Sequence, residues 1–206
     1  MSTLRFVCPN LRNAESRVKR LLAYTKEHMA RAAVFIDGSS LVSCLSHLNW
    51  PAFIDPTYLS KKLVKNDDLV AIIYSFSAPH PNVPLHIKRQ QQRYHDLLRT
   101  MEEISLDEGW RSPPHYEEKA VDVKLAINMV YMCCNDGFDI CYVVSGDSDL
   151  APAIEMVRGM SKEVVWVYFW DKYSPKEQQR FSFRMAQASS NKIGFKKKWA
   201  KLLINT

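Results

Sequence analysis

The sequence contains no run of about 18 apolar residues free of charge, so no transmembrane helix is expected. Its opening stretch, MSTLRFVCPNLRNAES, has neither a basic segment leading into an apolar one nor a small-residue cleavage site, which argues against a secretory signal. Glu15 and Glu27 in the same Arg-rich region argue against a transit peptide. The five cysteines, Cys8, Cys44, Cys133, Cys134 and Cys141, include no C-x-x-C pair and have no His pair nearby, which speaks against a zinc site. Odd in number, they read as small, mostly buried thiols in a reducing compartment, and a cytoplasmic location is expected. His80, His86, His95 and His115 fall in expected loops or polar helices without metal-ligand spacing and read as bystanders. No Ser-His-Asp or Cys-His order stands out, so catalysis by a side-chain nucleophile is not expected. Internal repeats and low-complexity linkers are missing too, and nothing divides the 206 residues into two folded domains.

What is present is an ordinary globular composition, 47% hydrophobic and 24% charged, in a chain long enough for a sizeable core. The formal net charge of +6 is unevenly spread: residues 1–30 carry +4 and residues 176–206 carry +7, which leaves −5 on the 145 residues between them. Basic ends around an acidic body suit a chain whose ends grip a polyanion while the body holds a cation. The competing explanation is that terminal helices are merely solvated by Lys and Arg.

Four apolar runs, AAVFI (32–36), LVAIIYSF (69–76), ICYVV (140–144) and VVWVYF (164–169), are short, rich in β-branched or aromatic residues and nearly unbroken, as strands covered on both faces should be. Between them, helices are expected over about 57–65, 84–104, 119–135 and 149–159. The alternation predicts an α/β fold, a three-layer α/β/α sandwich around a mainly parallel central sheet. Trp110 to Tyr116 read as a short edge strand whose pairing Pro113 and Pro114 limit. An amphipathic helix over 14–29, with Val18, Leu21, Leu22 and Met29 on one side, would make residues 1–30 a basic N-terminal extension. Residues 31–170 would form the central domain, and residues 171–206 a basic C-terminal extension.

Within this frame the carboxylates fall in equivalent places. Ligands of open parallel sheets bind beyond the C-terminal ends of the strands. Asp37 directly follows AAVFI, and Asp147 and Asp149 follow ICYVV, where Gly146 would allow a sharp exit and Asp149 would cap the next helix. Asp122 lies near the start of a helix on the side that also carries Leu125, Ala126 and Met129. Four carboxylates on one rim repel one another, so they either take up protons or share a cation. A hard divalent ion, Mg²⁺ or Mn²⁺, suits an all-oxygen donor set.

FIDGSSL (35–41), EKAVDVKLAINM (118–129) and VVSGDSDLAPAI (143–154) closely resemble the three signature segments of the NYN domain family, the LabA-like branch of the PIN-like nuclease superfamily. The resemblance covers roughly residues 31–170. It implies a PIN-like α/β/α fold and a metal-dependent ribonuclease site in which Asp37, Asp122, Asp147 and Asp149 match the acidic metal positions. Lys119 matches the basic residue of K-x-V-D, which would offset carboxylate repulsion or meet the scissile phosphate, while Ser145 and Ser148 match polar residues of the turn. Two positions depart from the pattern: Ser40 stands where the family usually has Asn, and Asn128 where it commonly has Asp.

RNA is the expected partner, no membrane partner is expected, and a homodimer or protein partner is left open. Ser39 and Ser40 are candidates for substrate contact beside Asp37. In the C-terminal region Phe195, Lys196, Lys197, Lys198, Trp199 and Lys201 interleave charge with rings that would contact phosphates and stack on bases. Arg180 and Arg184 would extend that surface, and Lys88, Arg89, Arg93 and Arg99 form a second basic stretch on a helix. The leading expectation is a Mg²⁺- or Mn²⁺-dependent endoribonuclease. A regulatory RNA-binding adaptor that has lost turnover is the alternative, favoured by Ser40 and Asn128. A phosphatase of the haloacid dehalogenase type would need a second Asp two residues after Asp37, where Ser39 stands instead.

Overall fold

The computed structural model describes residues 29–169 and 181–203, so most of the expected helix over 14–29, together with Cys8 and Arg180, lies outside the described residues. The chain runs β1 (Arg31–Asp37), α1 (Gly38–His47), α2 (Pro56–Val64), β2 (Asp68–Phe76), α3 (Leu85–Leu98) and β3 (Ile104–Glu108). A small hairpin, β4 (Trp110–Ser112) and β5 (Glu117–Lys119), leads into α4 (Val121–Cys134) and β6 (Ile140–Val144). A 3-10 turn (Ser148–Leu150) precedes α5 (Ala151–Gly159), β7 (Glu163–Tyr168), α6 (Phe183–Ala188), β8 (Asn191–Gly194) and a second 3-10 turn (Lys197–Trp199). No helix among the described residues is long and apolar enough to cross a membrane.

Six strands form one sheet in the order β3-β2-β1-β6-β7-β8, all parallel. Side chains alternate along each strand and fill two cores. Ala32, Val34 and Ile36 of β1 point into a core shared with α1, α2, α3 and the C-terminal segment, including Leu41, Leu59, Tyr94 and Trp199. Ala33 and Phe35 point to the other face, against Leu125 and Met129 of α4, Ile154 of α5 and Met185 of α6. A three-layer α/β/α sandwich results, with both faces of the sheet covered, and this is why residues 32–36 of β1 are apolar between Arg31 and Asp37.

Sheet order also places the site. From β1 the chain moves outward through β2 and β3, then crosses back to β6 on the other side of β1. The crevice at the C-terminal ends of β1 and β6 is therefore the topological switch point, the usual ligand position in such sheets.

Several expectations need correction. The helix expected over 84–104 ends at Leu98, because Ile104–Glu108 leaves it to pair with β2 as an edge strand. Residues 110–116 do not edge the central sheet; Trp110–Ser112 pairs with Glu117–Lys119 in a separate two-stranded hairpin. Residues 38–47, for which no element is expected, form α1, capped by the Asp37 side chain accepting from the Ser40 N–H. The sheet and core also continue past residue 170. Asn191–Gly194 supplies the sixth strand, Phe195 and Trp199 pack in the core, and the backbone of Leu203 donates to Phe53.

Candidate functional site

Asp37 is the last residue of β1 and only 4% exposed. Its carboxylate is held on both oxygens: the Ser40 N–H donates to Oδ1 at 2.9 Å and the Ser145 hydroxyl donates to Oδ2 at 2.9 Å. Ser145 is fixed in turn, since its hydroxyl accepts from the Asp147 N–H at 2.9 Å and its carbonyl accepts from the Trp166 indole at 2.9 Å. The buried ring of Trp166 in β7 thus anchors the turn after β6, and the turn orients Asp37. Burial lifts the Asp37 carboxyl from an ordinary 3.8 to about 6, and the charges of Glu118 and Asp147 push the same way against the two hydrogen bonds.

Gly38 follows because nothing larger fits. A Cβ there would stand 2.3 Å from the Tyr74 ring, which is buried beneath the start of α1. The Ser40 hydroxyl accepts from the Gly146 N–H at 2.8 Å, so the residue that replaces the family's usual Asn ties β1's exit to that of β6. Gly146, expected to allow a sharp exit from β6, has no left-handed backbone and donates this hydrogen bond from its N–H.

Asp147 caps the 3-10 turn, its Oδ1 accepting from the Asp149 N–H at 2.9 Å. The expected cap, Asp149, has an exposed side chain outside the cleft lining. α4 begins after Ala120, which is left-handed at φ 67°, and this bend turns Val121 and Asp122 toward the switch point.

Alternation along β5 decides the fate of its two charges. Lys119 shares a face with Glu117, bonds it at 2.7 Å and stands exposed outside the cleft, so its expected place among the carboxylates is corrected. Glu118 points the other way. It accepts from the hydroxyls of Ser39, at 2.7 Å, and Ser77, and lies 3.6 Å from the Arg111 guanidinium. Arg111 is itself oriented by the carbonyls of Ala78, at 2.6 Å, and Tyr116, at 3.1 Å.

The outcome is a polar cleft of about 520 Å³ at the switch point. Asp37, Glu118, Asp122 and Asp147 bring carboxylates to it, and Ser39, Ser40 and Ser148 bring hydroxyls. Ser145 is wholly buried, so it supports Asp37 and is unavailable to a substrate. Asn128 bonds Asp107 on the edge strand and is absent from the lining, so that departure does not reach the cleft.

Glu118, Arg111 and Ser77 have no role in the sequence reading. The only signal for Glu118 was its place beside Lys119 in EKAVD, and the two exchange roles once the segment is a strand.

Among the described residues, no three His, Cys, Asp or Glu side chains are gathered as a metal cage. The donor chemistry nevertheless fits Mg²⁺ or Mn²⁺, because Mg²⁺ typically uses one or two carboxylates and keeps several waters, and an open all-oxygen cleft leaves room for them.

The C-terminal basic stretch is split. Lys196, Lys197 and Lys198 are exposed, whereas Trp199 and Phe195 are 7% and 3% exposed. Their rings pack on each other at 6.0 Å, and Phe195 stacks on Phe169 at 5.2 Å, so they serve the core and cannot be base platforms. Arg184 pairs with Glu155, and Arg99 with Asp96 and Glu108, which leaves Lys88, Arg89 and Arg93 as the exposed charges of α3. His95 is no bystander on a polar surface. It is 8% exposed, its ring 4.2 Å from that of Phe76.

The NYN domain profile matches residues 31–187. A protein of unknown function from Vibrio parahaemolyticus, known from its crystal structure, is 16% identical with a TM-score of 0.58, over 82% of this chain and 94% of its own. At that identity the likeness speaks for the fold alone. No curated protein matches the chain.

Proposed function

The chain belongs to the NYN domain family, whose fold is of the nuclease type, and on that premise we propose that it hydrolyses RNA phosphodiester bonds internally with the help of Mg²⁺ or Mn²⁺. The observation that carries this reading is a buried Asp37 at the switch point of the sheet, sharing one polar cleft with Glu118, Asp122 and Asp147. In this reading three aspartates and a glutamate take the place of the four aspartates expected from sequence, with Asp149 exposed outside the cleft lining.

In this reading Asp37, Asp122 and Asp147 hold the cation, and Glu118 contributes through its own oxygens or through bound water. Such a cation supplies a water nucleophile at neutral pH and offsets charge on the phosphate. The chain's own groups do the rest. The Ser145 and Ser40 hydrogen bonds fix Asp37 against rotation, and its ionisation near pH 6 makes it ready to meet a cation at neutral pH. The N-termini of α1 and α4 would present positive potential toward a phosphate in the cleft, while Arg111, in the adjoining cavity, lies 3.6 Å from Glu118 and offsets its charge. A water oxygen would bond to phosphorus as the ester P–O bond breaks, the water releasing one proton to solvent and the departing ribose oxygen taking one up. Lys196, Lys197 and Lys198 would hold flanking phosphates.

Incubation of a labelled mixed-sequence RNA with Mn²⁺, Mg²⁺ or EDTA tests this. Metal-dependent internal cutting that disappears in Asp37→Asn is the expected result. Salt-sensitive RNA binding without cutting by wild type would support the adaptor reading instead.

A further inference from the structure

A second cavity of about 270 Å³ adjoins the cleft and shares Ser39, Ser43 and Glu118 with it. Its walls include Val42, Phe53, Phe76 and Pro79, and beyond the shared residues its polar side chains are Ser77, Gln91, His95 and Arg111. This size lies just below the usual range for small-molecule pockets, roughly 300–1,000 Å³. It suits one planar ring system better than a whole nucleotide.

Two features of α3 set the cavity apart from ordinary core. Gln91, Tyr94, His95 and Leu98 follow the i, i+3, i+4, i+7 spacing of the buried stripe, so a carboxamide occupies a position where an apolar side chain would pack. The Gln91 Oε1 is buried without a hydrogen-bond partner. Leaving a buried acceptor unpaired is costly, and a stripe position is an odd place to retain one unless something else supplies the donor. The second feature is His95. Burial and the nearby Arg99 hold its imidazole down at about 4, so it stays neutral at physiological pH and offers one donor and one acceptor. Neither of its ring nitrogens has a hydrogen-bond partner among the described residues.

We propose that this cavity takes one unstacked nucleobase of the RNA, read at its edge by Gln91 and His95, next to the phosphate held in the main cleft. The inference rests on the nuclease reading for its substrate. Its chemistry is that of single-strand recognition, in which a base is splayed out, set among apolar and aromatic side chains and hydrogen-bonded along its edge. Ser39, Ser43 and Glu118 line both spaces, so a base in one and its phosphate in the other would span a short path. The cavity would thereby set which nucleotide lies beside the cut.

The test uses the four ribonucleoside 5′-monophosphates as probes in NMR titrations of the full chain, with and without Gln91→Leu. One or two of them should shift the Gln91 side-chain amide and the His95 ring signals, and Gln91→Leu should weaken that binding at least tenfold while its Tm is unchanged or higher. Sequencing of products from a randomised RNA should show a nucleotide preference at the cut in wild type that is lost in Gln91→Leu. No shift at Gln91 or His95 with any of the four, or the same preference in Gln91→Leu, overturns the inference. Shifts at both residues without any RNA cleavage would keep the base pocket and overturn the nuclease reading.

Discussion

At the scale of the residue, Asp37 carries the main cost of the site. Its carboxyl rises from 3.8 to about 6 because it is buried, which corresponds to roughly 3 kcal/mol of native-state destabilisation once both folded and unfolded forms are ionised. Between those two values the folded state holds the proton more tightly than the unfolded one, so metal-free stability falls as pH rises through that window. Asp37→Asn removes the ionisation. In chelator, chemical denaturation should find the variant more stable than wild type by about 1–3 kcal/mol at pH 8, with the advantage shrinking toward pH 4. An unchanged difference across that range would show that Asp37 is not the titrating group. Glu118 and Lys119 supply a paired prediction at the same scale. Glu118→Gln should lower the cleavage rate by about a hundredfold or more, in keeping with loss of a charged group from a preorganised site, while Lys119→Ala should leave kcat/KM within about threefold. Asp37, Asp147 and Asp149 were legible in the sequence as carboxylates following strands, and Asp122 as one near a helix start. What was not legible was the face that each of two neighbouring charges takes in a three-residue strand, and this made Glu118 invisible and Lys119 conspicuous.

At the scale of the element, strands covered on both faces were readable because unbroken β-branched runs have few alternatives, and β1, β2, β6 and β7 all lie where such runs occur. The edge strands were not. Ile104–Glu108 and Asn191–Gly194 are largely polar because one side meets solvent, and only pairing with β2 and β7 makes them strands. α1 escaped because its start, GSS, reads as a turn until the Asp37 side chain caps it. Its entry is also the tightest point of the site: Gly38→Ala drives a methyl into the Tyr74 ring, and we expect a loss of about 1–3 kcal/mol in denaturant unfolding, the usual cost of overpacking. α4 begins on a strained residue. Ala120→Gly should relieve the left-handed backbone and gain up to about 1 kcal/mol if α4 is otherwise unaltered.

At the scale of the whole molecule, charge and fold separate in the C-terminal region. Deleting residues after Ile193 would remove Phe195 and Trp199 from the core along with the lysines, so it tests folding before it tests RNA binding. Replacing Lys196, Lys197 and Lys198 together by Ala keeps the rings in place. RNA affinity should fall and the slope of log K against log salt should flatten by about 2, the amount for three phosphate contacts on a single strand, with Tm nearly unchanged. An unchanged slope would return these lysines to a solvated surface.

The nuclease reading rests on one claim, that the carboxylates at the β1–β6 switch point hold a divalent cation. Thermal unfolding with and without Mn²⁺ at pH 8, in wild type, Asp37→Asn and Glu118→Gln, tests it without any RNA. At a concentration about a hundred times Kd, Mn²⁺ should raise the wild-type Tm by about 5–10 °C. The rise should vanish in Asp37→Asn, shrink in Glu118→Gln, and weaken in wild type at pH 5, where the Asp37 carboxyl is largely protonated. An equal rise in Asp37→Asn, or none in wild type at millimolar Mn²⁺, would contradict the claim.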